Sequence, residues 1–279
     1  DGNVIISPER VLVDNLNSLP LPPYETLPME KYFRISPGRD GMTSERRYAS
    51  VVTSRGCPHL CTFCSSKNIW SNRWRPRDPN NILAELELLT RCWGVKEISF
   101  EDDNLTLEPA RVQLLCREMI HRNIRVKWNT PNGVSVLKLD RPTIQLMKSS
   151  GCTRLNFGIE SGDPHILNDI MNKNVPLEKI KEVVTIAHEE GLVTTGYFVI
   201  GMPGETIQSM QASLDFAKSL PLDEIGLNIA VPYPQTMVEK TAREQGYLIK
   251  DSHSIEAEDD IGQTVFMETP MLSAKDLLE

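Results

Sequence analysis

No apolar run in the chain approaches the ~20 residues that a membrane-crossing helix needs. A secretory signal is missing as well, because residues 1–30 hold no basic stretch followed by an apolar one. Positive charge is in deficit: 30 lysines and arginines against 38 acidic residues leave a net charge of −8. Overall charge therefore does not draw this chain to nucleic acid. The densest arginine group, Arg73, Arg75 and Arg77, reads either as a local basic patch or as a solvated turn. An initiating methionine is also lacking, and the chain reads as part of a longer protein or as a processed one.

A disulfide framework is not visible either. Of the six cysteines, three crowd into eight residues, while Cys92, Cys116 and Cys152 are scattered. Cys92 and Cys116 lie in helix-like segments and Cys152 at the mouth of a strand, where lone cysteines act as small buried hydrophobes. Clustered thiols bind metal more often than they pair. A reducing, cytoplasmic compartment suits them.

What is present is the composition of a globular core, 40% hydrophobic and 24% charged. Strand-like runs at 48–53, 96–100, 124–128, 153–159, 193–200 and 224–231 alternate with amphipathic stretches at 80–92, 110–122, 142–149, 177–190, 207–220 and 237–245. Asp78-Pro79 and Asp163-Pro164 each place a helix N-cap before a proline at the first helical position. Six strand–helix units in a row predict an α/β fold with a parallel sheet and right-handed crossovers. Six are too few to close the eight-stranded barrel. The expectation is a partial (β/α)6 barrel with a curved parallel sheet and its chemistry at the carboxyl ends of the strands.

The first 45 residues differ. Val4-Ile5-Ile6 and Val11-Leu12-Val13 read as a short hairpin. Leu19-Pro20-Leu21-Pro22-Pro23-Tyr24 reads as an extended linker whose apolar residues dock on a neighbouring surface. Residues 36–47 read as a polar, mobile loop. The expected division is residues 1–45 as the tail of an upstream domain plus linker, 46–246 as the core, and 247–279 as a C-terminal extension.

Directly after the first strand stands Arg55-Gly56-Cys57-Pro58-His59-Leu60-Cys61-Thr62-Phe63-Cys64. Thiolates are the usual ligands of iron–sulfur clusters, and three of them on a four-iron cube leave one iron open. Structural zinc is the alternative. It ordinarily takes four ligands in two separated pairs, and here only His59 or a distant cysteine is spare.

The C-x3-C-x2-C spacing, with aromatic Phe63 just before the third cysteine, resembles the signature of the radical S-adenosylmethionine (SAM) superfamily. The resemblance covers residues 48–245 and implies a 4Fe–4S cluster on Cys57, Cys61 and Cys64. It further implies SAM chelated at the open iron and reductive cleavage to a 5′-deoxyadenosyl radical that abstracts a substrate hydrogen. For SAM itself it points to Phe63, to Glu160 and Ser161 at the ribose, to Gly201 in the Gly-Met-Pro-Gly turn below the adenine, and to Val231 beside the adenine. Glu160-Ser161 has a second reading, as a cap for the helix after Asp163. Glu101-Asp102-Asp103-Asn104 faces the cavity or forms a solvated turn, and the family's common Gly-Gly-Glu is absent at that place. Asn129-Thr130-Pro131-Asn132-Gly133 is expected to end the third strand, and Trp70, Trp74 and Arg75 to shape the mouth or pack over the cluster. No residue is assigned a catalytic role of its own.

The Leu-Pro-x-Pro linker and Val231-Pro232-Tyr233-Pro234 resemble the branch that joins a cobalamin-binding domain to the radical SAM core. That branch's lower-ligand motif, Asp-x-His-x-x-Gly, does not occur: Asn168 and Glu256 stand where glycine is required. The resemblance implies cobalamin through another domain, a small-molecule substrate and an electron donor such as flavodoxin or ferredoxin. The expected chemistry is methyl transfer, rearrangement or cyclisation. Two alternatives remain at this stage: methylthiolation of tRNA or protein, and a zinc-stabilised binding module without chemistry.

Overall fold

The computed structural model describes residues 10–35, 43–250 and 262–278. Helix α1 (Met29–Ile35) precedes β1 (Tyr48–Val51), the short β2 (Ser54–Arg55), α2 (Ser66–Trp70), β3 (Arg75–Pro76) and α3 (Pro79–Cys92). Alternation then becomes regular: β4 (Glu97–Phe100), α4 (Pro109–His121), β5 (Lys127–Val134), α5 (Arg141–Ser149) and β6 (Cys152–Glu160). After it come α6 (Leu177–Glu189), β7 (Val193–Ile200), α7 (Ile207–Ser219), β8 (Glu224–Ile229), α8 (Met237–Glu244) and α9 (Ala274–Leu278). Strands β1, β4, β5, β6, β7 and β8 form one parallel sheet in that order, and β2 pairs antiparallel with β3. The order is linear, so β1 and β8 are edges and the barrel is open, as the count of units predicts.

Local sequence explains the elements. Asp78 accepts the Asn80 N–H at the start of α3, with Pro79 at the first position, and Asp140 does the same for Thr143 in α5. Ile82, Leu83, Leu86 and Leu89 of α3 are fully buried against the sheet. β4 is buried on both faces, as a strand covered by helices must be. Phe100 and Trp128 meet edge to face inside, with ring centroids 5.3 Å apart.

Several expectations change. β5 does not end before Asn129 but runs to Val134, passing Pro131 through a register shift between Thr130 and Val134. Proline has no N–H for the ladder, and a bulge is the place a strand tolerates it. Val11–Val13 form no strand: Val11 and Leu12 are exposed, and the Val13 carbonyl is taken by Arg75. The other arm of the expected hairpin, residues 4–6, lies outside the described residues, as do 36–42 of the expected loop and Glu256. The proline-rich linker does dock: Leu16 and Tyr24 are buried, and the Tyr24 hydroxyl donates to Glu85 at 2.5 Å. Helix α1, absent from the sequence reading, is held by Met29 and Phe33, buried four residues apart.

The three arginines form no basic patch. Arg75 is buried with its guanidinium on the Val13 and Trp70 carbonyls, Arg77 pairs with buried Glu85 at 2.6 Å, and Arg73 pairs with Asp14. Cys116 and Cys152 are buried as expected, but Cys92, in the last turn of α3, is exposed.

Candidate active site

A cavity of about 240 Å³ opens at the carboxyl ends of the strands, where the fold class places function. Cys57, Cys61, Cys64 and Phe63 line it from the loop that follows β2. Asn104 enters from the loop after β4, Asn132 and Val134 from β5, and Gly158 and Glu160 from β6.

The cysteine loop has little regular structure, and other elements hold it. Gly56 has φ +84°, and a side chain there would meet the Arg73 carbonyl oxygen at 2.5 Å. The Thr62 N–H donates to the Met171 carbonyl, its hydroxyl to that of Ile170, and Asn172 donates to the Leu60 carbonyl. On the opposite side Asp102 is fully buried and accepts the Thr53 N–H, the Thr53 hydroxyl and the Ser54 hydroxyl. Asp103 accepts the Gly56 N–H at 3.2 Å, and Asn104 Nδ2 stands 3.7 Å from Cys57 Sγ. The acidic run thus grips the loop residue by residue and is not a solvated turn. Burial raises the Asp102 carboxyl; hydrogen bonds from Ser54 and Thr53 and the charge of Arg111 draw it down.

All three cysteines are free thiols. Burial pushes Cys61 up to about 11 and raises Cys64, while Lys173 draws Cys61 down. His59, also at the cavity, is lowered by burial and by Lys173 and Lys138. Among the described residues no three ligating side chains are arranged around a single metal ion. The three thiols border the cavity instead, and that donor set fits an iron–sulfur cluster with one iron left to another ligand. Burial disfavours the thiolates of Cys61 and Cys64, and binding such a group would have to expel their protons.

Glu160 reaches the cavity through a distortion. The register between β6 and β7 shifts between Gly158 and Glu160, and Glu160 has φ +71°. A bulge re-aims side chains, and a non-glycine residue in this region costs roughly 1–3 kcal/mol. Glu160 Oε1 accepts from Lys173 Nζ at 2.6 Å. The pair lies across Gly158, where a Cβ would stand 2.6 Å from Glu160 Oε1 and 2.9 Å from Lys173 Nζ. Glu160 caps no helix: Asp163 Oδ1 itself accepts the His165 and Ile166 N–H groups. The turn so capped becomes a single π-helical turn, Ile166–Ile170, which delivers Ile170, Met171 and Asn172 to the cysteine loop.

The remaining expected residues divide. Ser161 is fully buried, its hydroxyl shared with Ser213 and the Asp163 N–H, so it braces α7 and does not face the cavity. Gly201 lies under Leu277 of α9, whose methyl carbons stand 3.1 and 3.2 Å from where its Cβ would be. Val231 lines a second cavity with Tyr233, Asn228 and Phe63, so Phe63 borders both. Trp70 does not line the first cavity; Arg55 stacks on its ring 4.8 Å from the centroid. Trp74 carries Arg111 over its ring in the same way, at 5.6 Å. Lys173 was not singled out in the sequence, because a lysine in an aperiodic Asn-Lys-Asn stretch reads as surface. Its only sequence signal is its place shortly after Asp163-Pro164 and the sixth-strand end.

Residues 51–217 match the sequence profile of the Radical SAM superfamily, and the chain belongs to that superfamily, the enzymes that pair SAM with a 4Fe–4S cluster. It is 36% identical over 236 residues to an uncharacterized methyltransferase of Pyrococcus horikoshii, covering 85% of this chain and 49% of that protein. It is 30% identical over 248 residues to the cytidylyl-2-hydroxyethylphosphonate methyltransferase of Streptomyces wedmorensis, covering 87% and 46%. The radical SAM methyltransferase TsrM of Kitasatospora setae, solved with cobalamin and a [4Fe-4S] cluster bound, shares the fold. Its TM-score is 0.63 at 20% identity, over 82% of this chain and 46% of that one. The chain spans about half the length of the curated relatives it matches. These matches favour neither the zinc module nor methylthiolation. No helix among the described residues is long and apolar enough to cross a membrane.

Proposed function

We propose that this chain is the SAM-cleaving core of a cobalamin-dependent methyltransferase, with Cys57, Cys61 and Cys64 as cluster ligands. The observation that carries the proposal is one cavity holding three free thiols, Phe63 and the Glu160–Lys173 pair. Cys57, Cys61 and Cys64 would hold a 4Fe–4S cluster, which, given one electron, would supply reductive cleavage of SAM to methionine and a 5′-deoxyadenosyl radical able to take a hydrogen atom from substrate.

The chain's own residues bind and orient. Lys173 presents an ammonium group to the carboxylate of the SAM methionine moiety, and Glu160 presents acceptor oxygens to the ribose hydroxyls. Their mutual ion pair fixes both side chains before ligand arrives. Phe63 borders the second cavity, where Val231 and Tyr233 offer an apolar wall for the adenine. Relatives named methyltransferases, and a neighbour of the same fold that holds cobalamin, support methyl transfer as the outcome. Cyclisation is a related outcome, since the anaerobic magnesium-protoporphyrin IX monomethyl ester cyclase of Rubrivivax gelatinosus matches at 26% identity. Those relatives are about twice as long as the matched region, which leaves room in them for a cobalamin domain. The substrate is a small molecule, the electron donor a flavodoxin or ferredoxin, and the compartment the reducing cytoplasm.

The test is anaerobic reconstitution with iron and sulfide, followed by iron counting and 5′-deoxyadenosine release with a strong reductant. Wild type is expected to hold a full cluster and cleave SAM. The variant carrying Cys57→Ala, Cys61→Ala and Cys64→Ala together is expected to lose both, and retention of iron by it overturns the assignment. Replacing Cys92, Cys116 and Cys152 is expected to leave iron content unchanged.

A further inference from the structure

Asn104 is only 2% exposed, yet its Oδ1 has no hydrogen-bond partner and its side chain lines the cavity. Its other terminal atom, Nδ2, is 3.7 Å from Cys57 Sγ. A buried amide with one end on a ligand sulfur and the other unpartnered is costly in a core, and such groups call for an explanation.

We propose that Asn104 is a positioning residue that donates a hydrogen bond to the Cys57 sulfur and so raises the reduction potential of the cluster. The inference rests on the cysteine assignment above. The amide's orientation follows from the acceptor. A thiolate carries no proton, so only the NH2 end of the carboxamide is attracted to it, which leaves the oxygen as the buried, unpartnered end.

The two residues before it fix the amide's place. Asp103 holds the Gly56 N–H and Asp102 holds Thr53 and Ser54, so three successive residues after β4 dock the segment that ends in Cys57. Neither carboxylate can donate to sulfur in its charged form, and Asn104 is the donor among the three. Adding an electron makes the cluster sulfurs more negative. A fixed donor then binds the reduced state more strongly than the oxidised one, and the potential rises. Burial strengthens the effect, because little water competes for the sulfur.

The experiment is a redox titration of the reconstituted protein, followed by electron paramagnetic resonance, with Asn104→Leu against wild type. Leucine has nearly the same shape and no donor. The expected result is a midpoint shifted to more negative potential at unchanged iron content. In D2O the reduced cluster of the variant is also expected to lose one exchangeable-deuteron coupling. If Asn104→Leu does not hold iron, Asn104→Asp, of the same size, is measured instead. Its added charge moves the potential by itself, so the deuteron coupling decides. A wild-type midpoint with the full deuteron signal in Asn104→Leu overturns the proposal, as does the full signal in Asn104→Asp. Failure of the cysteine assignment shows separately, as wild-type protein that takes up no iron.

Discussion

The cysteine loop and the turn after β7 stand at the same end of the sheet and are held in opposite ways. The cysteine loop is gripped from outside, by Asp102, Asp103 and Asn104 after β4 and by Ile170, Met171 and Asn172 after β6. The turn from Gly201 to Thr206 holds itself. The Met202 N–H donates to the Glu205 carboxylate at 2.9 Å, the Glu205 N–H returns to the Met202 carbonyl, and Thr206 opens α7 with a capping box. A loop whose three cysteines border a cavity has few internal bonds, so its order is imported. A turn with no ligands of its own to free keeps its bonds inside.

The difference is broken most severely at Asp102. Replacing it with alanine removes the acceptor for three donors from Thr53 and Ser54 and takes away the largest of the acidic charges that act on buried Arg111. Leaving a buried donor unsatisfied costs ~1–3 kcal/mol, and with three such donors the loss runs to several kcal/mol. Asp102→Ala is expected to lose that much in denaturant unfolding and to take up less iron than wild type. Wild-type stability in the variant removes the idea that the loop's order is imported.

Most of the fold was legible from local pattern. The six parallel strands appear close to where alternation placed them, because each carries its own period and its own flanking cap. The cysteines were legible as a local motif too. What was hidden depends on register or distance. Pro131 stopped the reading of β5 because a breaker residue looks alike whether it ends a strand or sits in a bulge. Glu160 was legible as a strand-end carboxylate, but its partner Lys173 was not, since it stands thirteen positions further on in an Asn-Lys-Asn stretch with no pattern of its own. Ser161 was misplaced by the same bulge: re-aiming Glu160 into the cavity leaves Ser161 facing Ser213. Asp102 was seen only as part of an acidic run, and nothing in sequence says that a carboxylate reaches Thr53, 49 positions earlier.

The self-held turn has a pH signature of its own. Glu205 is fully buried, and desolvation pushes its carboxyl from 4.5 up to about 7 against the Met202 and Gly201 N–H groups, which pull it down. Below 4.5 the side chain is protonated in both the folded and the unfolded chain. Between 4.5 and about 7 the unfolded chain releases its proton while the folded one keeps it, so stability falls as pH rises through that window. Glu205→Gln cannot ionise and is expected to flatten this fall. Relative to wild type it gains about 3 kcal/mol between pH 4.5 and pH 8, from roughly 1.4 kcal/mol per pKa unit. Urea unfolding across that range checks it, and parallel profiles for the two proteins remove the buried, ionising role of Glu205.

The smallest effect isolates the local character of the turn. The Thr206 hydroxyl accepts the Ser209 N–H at 3.2 Å, and the Ser209 hydroxyl accepts the Thr206 N–H at 2.9 Å. Thr206→Ala removes the first bond, while the second survives because it uses the backbone of residue 206. Replacing a capping threonine by alanine costs ~1 kcal/mol. The loss is expected in α7 and nowhere else, because neither hydroxyl touches the cysteine cavity. Thr206→Ala should therefore unfold about 1 kcal/mol earlier than wild type yet take up a full complement of iron and release 5′-deoxyadenosine at the wild-type rate. Asp102→Ala and Thr206→Ala then separate two kinds of order at one end of the sheet, one needed by the thiols and one needed only by its own helix. A drop in iron uptake in Thr206→Ala comparable to that in Asp102→Ala joins the two loops into a single cooperative unit and ends the distinction.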